Sequence, residues 1–209
     1  MKVEIYGDIA CAWCCLAMHR FHRAAAADGD KQDVELVHRP YQLDADGSEE
    51  PRPLVDVMAD IFGREQTNLM VTEMTRLGAS EGFEFRFDRA VAVNTLTAHR
   101  LLGLALRDYD ARSQAALATA LYHAYFRDGR NIADHAELTG LAERVGLDGG
   151  RVRSFLASDQ GLAEVREQLR AAQQDGITSV PTFVFENGEV LRGASETESI
   201  LDTLRRAQK

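Results

Sequence analysis

The sequence predicts an α/β fold in which both ends of the chain build one sheet and a large all-helical insertion lies between them. The first forty residues alternate between strand and helix patterns, and residues 53–172 follow helical periodicity almost throughout. The remaining residues return to strand patterns before a final helix. We therefore expect a discontinuous α/β domain of residues 1–52 and 173–209 and a helical insertion domain of residues 53–172. No internal repeat is present.

The first elements form a strand–helix–strand unit. The alternating, β-rich residues 3–7 predict a short strand, and residues 13–27 predict a helix with Gly29 as its stop signal. Residues 34–39 predict a second strand, which Pro40 ends. Because a right-handed crossover connects them, the two strands are expected to be parallel.

The middle of the chain is expected to be helical. Asp134 and Glu137 have the spacing of a capping box at the start of one helix. The short alternating piece 83–87 is interpreted as an extended connector rather than a strand. The predicted helices cover residues 54–62, 65–77, 95–107, 112–126, 135–145, 152–157 and 162–173.

The C-terminal part predicts a hairpin and a helix. Residues 182–185 form a strand pattern, Asn187 and Gly188 are a strong two-residue turn signal, and residues 190–191 begin the return strand. The last helix is expected to start at Ser195, capped by Ser195 and Glu198.

Composition and charge exclude several classes of function. The chain has 209 residues, 45% apolar and 27% charged, which is typical of a soluble globular protein. Its formal net charge of -9 opposes phosphate-backbone binding, so no nucleic-acid partner is expected. No apolar run is long enough to span a bilayer, so no membrane partner is expected either. Asp8 interrupts the N-terminal stretch before the apolar core of a secretory signal could form, which predicts a cytoplasmic location.

Three cysteines, clustered between positions 11 and 15, are the main chemical signal. Cys11 and Cys14 have C-x-x-C spacing, directly after a strand and at the start of a helix. This spacing lets two sulfurs approach bonding distance, and a helix N-terminus stabilises a thiolate. We therefore expect Cys11 to be the catalytic nucleophile and Cys14 the catalytic resolving thiol. Trp13 lies between them and is expected to offer an apolar surface for substrate.

A metal site is the alternative for the same cluster. Cys15, His19 and His22 fall on one face of the predicted helix, and with Cys14 they could in principle surround zinc. The spacing does not match a structural zinc module, so no metal is predicted. Cys15 is interpreted as a small buried apolar residue. The alternative is that it is a third redox thiol, able to form other disulfides.

Pro181 is the second functional candidate, at the entrance to the strand of residues 182–185. A proline there is commonly a tight-turn element with a trans bond. Beside a cysteine turn, a cis bond before Pro181 would leave the Val180 backbone exposed near the sulfurs, able to pair with an extended substrate. We expect the cis form and assign Val180 and Pro181 to substrate binding.

The cysteine turn and the Thr178–Thr182 segment resemble the DsbA family of the thioredoxin superfamily, specifically its FrnE-like branch. The resemblance covers the whole chain and implies a thioredoxin-like fold with a large all-helical insertion. Two residues depart from the family pattern: Ala12 replaces a proline and Cys15 replaces an aromatic residue. Without the proline ring, the backbone of the turn between the two cysteines is less constrained.

A segment of the insertion also resembles the family. It comprises Asn94 and Thr95 followed by Ala98, His99 and Arg100. From the residues alone, we interpret Asn94 as a helix N-cap.

The resemblance implies a thiol–disulfide oxidoreductase without a cofactor, whose partners are thiol or disulfide substrates, either protein or glutathione-like. Chromene-carboxylate isomerases and kappa-class glutathione transferases resemble the same layout and supply the alternative function, a glutathione-dependent isomerase or transferase. Those relatives generally carry serine at the position of Cys11. A non-catalytic binding role is a third alternative. The helical block offers surfaces for a homodimer, although no heptad seam is evident.

Overall fold

The computed structural model describes residues 1–28 and 34–207, so the stop signal expected at Gly29 lies outside the described residues. The strands are β1 Lys2–Gly7, β2 Glu35–Pro40, β3 Arg52–Pro53, β4 Val91–Ala92, β5 Thr182–Phe185 and β6 Val190–Arg192. The helices are α1 Ala12–Ala27, α2 Leu54–Phe62, α3 Arg64–Ser80, α4 Leu96–Asp108, α5 Ala111–Phe126, α6 His135–Arg144, α7 Gly149–Leu156, α8 Leu162–Gln174 and α9 Thr197–Ala207.

Both ends of the chain contribute to one four-stranded sheet, as the sequence predicts. Its strand order is β2-β1-β5-β6. β1 is parallel to β2 and antiparallel to β5, with Tyr6 opposite Thr182. Pro40 pairs with Gly7 as the last residue of β2, so it belongs to the strand rather than following it. The hairpin between β5 and β6 turns at Gly188, whose φ of 85° suits glycine.

Two helix starts differ from the prediction by more than one residue. α9 begins at Thr197 rather than Ser195, because the Ser195 N–H donates to the carbonyl of Gly193 in a preceding turn. α7 begins at Gly149, earlier than expected, because the Asp148 side chain accepts the N–H of Arg151 and caps the helix.

The connector at residues 83–87 has no strand, which confirms the prediction. Phe83, Phe85 and Phe87 are all buried, and Phe126 packs edge-on against the last two at ring distances of 5.3 and 5.8 Å. The two-residue pair of β3 and β4, which was not predicted, holds the start of α2 against the chain that follows this connector.

The hydrophobic core runs from the sheet into the inserted helices without a break. Phe21 of α1 stacks on Phe183 of β5 with ring centroids 5.5 Å apart. Glu81, just after α3, holds that helix to α1: its side chain accepts from Arg20 and its carbonyl lies 2.8 Å from His19 Nε2. The proposed domain boundaries stay a prediction. In the described residues, no helix has the length and apolar character needed to cross a bilayer.

Candidate active site

Cys11 occupies the N-cap position of α1, just after the end of β1. Its backbone N–H donates to the Asp8 carbonyl at 3.1 Å, and its sulfur accepts the N–H of Cys14 at 3.2 Å. The side chain is 6% exposed. The strand and the helix together therefore present the sulfur of Cys11 at a helix N-terminus, where free N–H groups and the positive end of the helix dipole face it.

Cys14 lies one turn further along α1 and is fully buried. Burial raises its pKa well above the usual range, and the hydrogen bond and negative charge of Cys11 raise it further. A hydrogen bond from the Asp8 backbone acts in the opposite direction. Cys11 and Cys14 are both free thiols in this structure.

Cys15 points into the core. It is 3% exposed, and burial raises its pKa well above the usual range, with a smaller contribution from Cys11. Its surroundings are those of a small apolar residue, consistent with the simpler of the two interpretations from the sequence.

A buried polar cluster, which the sequence patterns did not predict, lies beside the cysteine turn. Asp8 is 1% exposed, and its Oδ2 accepts the N–H of Leu43 at 2.7 Å while its Oδ1 lies 3.3 Å from His99 Nε2. The hydroxyl of Tyr122 donates to the Asp8 carbonyl at 3.3 Å. Burial, followed by the charge of Cys14, raises the pKa of Tyr122 well above its usual range, so this residue stays a neutral phenol. The resemblance of the segment around His99 to a family motif was the available signal.

Asn94 joins the helical insertion to the chain on the other side of the site. Its Nδ2 donates to the carbonyls of Ala45 and Gly47, at 3.1 and 3.0 Å. Its Oδ1 accepts the N–H of Leu96 at 2.9 Å, although Thr95 rather than Asn94 occupies the cap position. Asn94 therefore makes a capping contact, but from one residue before the cap position, because the helix begins at Leu96 rather than Thr95. The same side chain also fixes the loop.

A groove of about 750 Å³ opens beside Cys11. We call it the cysteine groove; residues 43–50 form one wall and helices α2 and α3 form another. Helical periodicity identified α2 and α3 but gave no sign that they face the cysteines. The apolar residues that line the groove include Trp13, Leu43, Leu54, Val57, Met58, Ile61, Phe62, Leu69, Met70, Met74, Phe87 and Phe126.

Trp13 lies in this groove and is 46% exposed. Val180 and Pro181 do not line it. The Val180–Pro181 bond is cis, as expected. Because Thr182 pairs with Tyr6, Pro181 enters the sheet at the end from which the cysteine turn departs. Among the described residues, neither the N–H nor the C=O of Val180 has a hydrogen-bond partner.

The cluster of Cys14, Cys15, His19 and His22 is not arranged as a metal site. His19 is engaged with the Glu81 carbonyl. In residues 1–28 and 34–207, no three His, Cys, Asp or Glu side chains come together in a way that would hold a metal ion.

Comparison with known proteins identifies the family. A family model described as "DSBA-like thioredoxin domain" matches residues 2–205. The solved structure of the "probable DsbA oxidoreductase" of Streptomyces coelicolor is similar with a TM-score of 0.89 and 34% identity, covering 100% of this chain and 90% of that one.

Two curated relatives are also similar. The Bacillus subtilis protein YwbO is 26% identical over 200 residues, which cover 93% of this chain and 91% of the relative. The 2-hydroxychromene-2-carboxylate isomerase of Sphingobium xenophagum is 35% identical over 78 residues, only 37% of this chain and 40% of that enzyme. With the family model spanning nearly all of the sequence, the chain belongs to the DsbA-like thioredoxin-domain family and has its thioredoxin-like fold.

Proposed function

We propose that this protein is a thiol–disulfide oxidoreductase in which Cys11 attacks and Cys14 resolves. One observation carries the proposal: the Cys11 sulfur caps α1, accepts the N–H of Cys14 at 3.2 Å and lines the cysteine groove. A nucleophilic thiol needs an electropositive position that a substrate can reach. Cys11 caps a helix N-terminus and lines the groove. Cys14 lies three residues along the same helix and its N–H contacts the Cys11 sulfur, which supports it as the partner in a disulfide.

In the direction of substrate reduction, the Cys11 thiolate attacks one sulfur of a substrate disulfide. A bond forms between these two sulfurs, the substrate S–S bond breaks, and the other substrate sulfur leaves as a thiolate that takes a proton from water. Cys14 then loses its proton and attacks the Cys11 sulfur, forming the Cys11–Cys14 disulfide and releasing the second substrate thiol. The substrate gains two electrons and the cysteine pair loses two, which an external dithiol restores. Run backwards, the same steps oxidise a dithiol substrate.

Three further residues are proposed to hold the substrate. Trp13 offers a half-exposed aromatic face next to the attacking sulfur. The N–H and C=O of Val180, which have no partner in the described residues, are available to pair with an extended chain, and Pro181 fixes the backbone that presents them.

Cellular location and lineage are part of the same proposal. We place the protein in the cytoplasm, in the FrnE-like branch, working without a cofactor on protein or glutathione-like thiols and disulfides. All three cysteines lie within five positions, which supports redox chemistry. An exported protein stabilised by disulfides would instead have cysteines distributed along the chain.

The experiment is catalysed reduction of insulin by dithiothreitol, followed by turbidity. Cys11→Ser should lose the catalysed rate. Reduced Cys14→Ser, freed of dithiothreitol and mixed with insulin, should stop after the first step and accumulate a mixed disulfide visible by intact mass. Cys15→Ser is the matched control, one residue away and expected to retain turnover. Undiminished turnover in Cys11→Ser would refute the proposal.

The second candidate is a glutathione-dependent isomerase or transferase. The partial similarity to the Sphingobium xenophagum isomerase favours it. In that case, Cys11 would act without Cys14. If Cys14→Ser still catalyses glutathione-dependent isomerisation of a chromene carboxylate, the isomerase becomes the preferred function.

A further inference from the structure

The cysteine groove exposes an unusual amount of apolar surface. Five large apolar side chains that line it are between 46% and 64% exposed. Exposed apolar patches of this kind mark binding sites in soluble proteins. Three of the five methionines of the chain also line the groove, and their flexible thioethers adapt to different partners. The five exposed side chains are Trp13, Leu43, Ile61, Phe62 and Leu69.

One wall of the groove is acidic. Residues 43–50 contain Asp44, Asp46, Glu49 and Glu50, and none of these forms an ion pair with a described Lys, Arg or His. Asp44 and Glu50 line the groove itself.

The other charged side chains of the groove are already paired. Arg52 lies 2.9 Å from Asp60, and Glu73 lies 2.7 Å from Arg76. Asp8 faces His99. Within the described residues, the acidic wall therefore has four negative charges without an opposing cation.

We propose that the groove binds an extended polypeptide segment that carries the substrate cysteine, an apolar side chain next to it and a Lys or Arg within a few residues. The inference rests on the proposed function and specifies its substrate. The apolar side chain would cover the exposed surface along α2 and α3, and the cation would neutralise the acidic wall. Glutathione has two carboxylates and one ammonium group, so its negative charge would face that wall. Protein disulfides are therefore the preferred substrates over glutathione disulfide.

The test compares four disulfides. Three are disulfide-linked homodimers of cysteine peptides that share the same Leu-containing core and differ only in whether Lys, Gln or Glu flanks it. The fourth is glutathione disulfide. Each kcat/KM with dithiothreitol as reductant is divided by the uncatalysed rate of the same disulfide, which removes the effect of peptide charge on intrinsic reactivity. We expect the Lys peptide to exceed the Glu peptide by about tenfold at low salt, and by about twofold at 0.5 M NaCl, because exposed charges are screened.

Two sets of variants locate the effect. Neutralising the acidic wall should reduce the Lys-over-Glu ratio to about twofold or less at low salt. A control that removes four exposed acids outside the groove changes the net charge equally and should leave the ratio unchanged. The wall variant is Asp44→Asn, Asp46→Asn, Glu49→Gln and Glu50→Gln, and the control is Glu35→Gln, Asp175→Asn, Glu198→Gln and Asp202→Asn.

The apolar contact has its own test. Ile61 and Leu69 are 64% and 61% exposed, so replacing both with Ser should barely affect folding. We expect this double variant to reduce the Leu-core peptide several-fold more slowly than the wild-type protein does. A matched peptide with Ser in place of the core Leu should react at the same rate with both proteins. Trp13 is the only tryptophan in the chain, so its fluorescence reports peptide binding directly.

Several outcomes would overturn the inference. These are equal normalised rates for the Lys and Glu peptides, faster reduction of glutathione disulfide than of the Lys peptide, or the same change of ratio in both charge variants. A dimer in sedimentation that Leu69→Ser dissociates would make a second copy of the chain the occupant of the groove. If the wild-type protein turns over none of the four disulfides, the proposed function itself fails.

Discussion

Oδ1 of Asp8 lies 3.3 Å from Nε2 of His99, and both side chains are only 2% exposed. Asp8 precedes the cysteine turn by three residues, whereas His99 comes from helix α4 of the insertion. The inserted helices thus contact, through His99, the residue whose carbonyl accepts the N–H of Cys11.

The contact predicts a measurable coupling. His99→Phe leaves the Asp8 carboxylate buried without its imidazole partner, which should cost about 3 kcal/mol of unfolding free energy. Asp8→Asn in the same protein should recover part of that loss, because no charge is then left buried. Urea unfolding of the four proteins of this double-mutant cycle measures the coupling. Additive effects of the two substitutions would show that the two side chains do not interact.

His38 predicts a loss of stability in mild acid. Burial, with a smaller contribution from His99, lowers its pKa to about 3, whereas an unfolded histidine titrates near 6.5. As the pH falls below 6.5, His38 binds a proton in the unfolded chain but stays neutral in the native protein. The free energy of unfolding therefore decreases. This one group should account for about 2 kcal/mol between pH 7.5 and 5.

Urea unfolding across this pH range tests the assignment. His38→Gln should flatten the pH dependence by that amount, and the exposed His135→Gln should not. An unchanged slope in His38→Gln would mean that another group is responsible.

The three cysteines should react in a fixed order. In the native, reduced protein, iodoacetamide at neutral pH should modify Cys11 alone within the time that modifies a free thiol. Unlike Cys11, Cys14 and Cys15 do not line the cysteine groove, and burial raises the pKa of both thiols, so they should react only after unfolding. Peptide mapping after timed quenching measures the order, and labelling of Cys15 before Cys11 would contradict it.

Two helical glycines should respond in opposite directions to alanine. A Cβ at Gly78 would collide with the ring of Phe85 and lie 2.7 Å from the Phe83 carbonyl oxygen, so Gly78→Ala should destabilise the protein by about 2 kcal/mol. At Gly103 a Cβ meets nothing within 4 Å, and Gly103→Ala should stabilise it by about 0.5–1 kcal/mol through helix propensity. Thermal unfolding compares the two, and equal shifts would contradict this packing.

Much of the fold could be predicted because its signals are local. The alternation in β1, the Asn187–Gly188 turn and the apolar periodicity of α2 depend on residues close together in the chain, so their elements appear where expected. The start of α9 was misplaced because a turn at Gly193 uses the backbone of Ser195, and no propensity of Ser195 itself shows this. β3 and β4 pair residues about forty positions apart, which local patterns cannot predict.

The sequence by itself determined the pair of Cys11 and Cys14 at a helix start, the helical insertion and the proline at the strand entrance, since spacing along one chain sets each of them. Only the tertiary structure decided that His99 meets Asp8, that Asn94 fixes the loop beside the site and that α2 and α3 face the cysteines. The physical reason is that a side chain's neighbours across the core depend on how distant elements pack. That packing is a property of the whole chain, which no local pattern specifies.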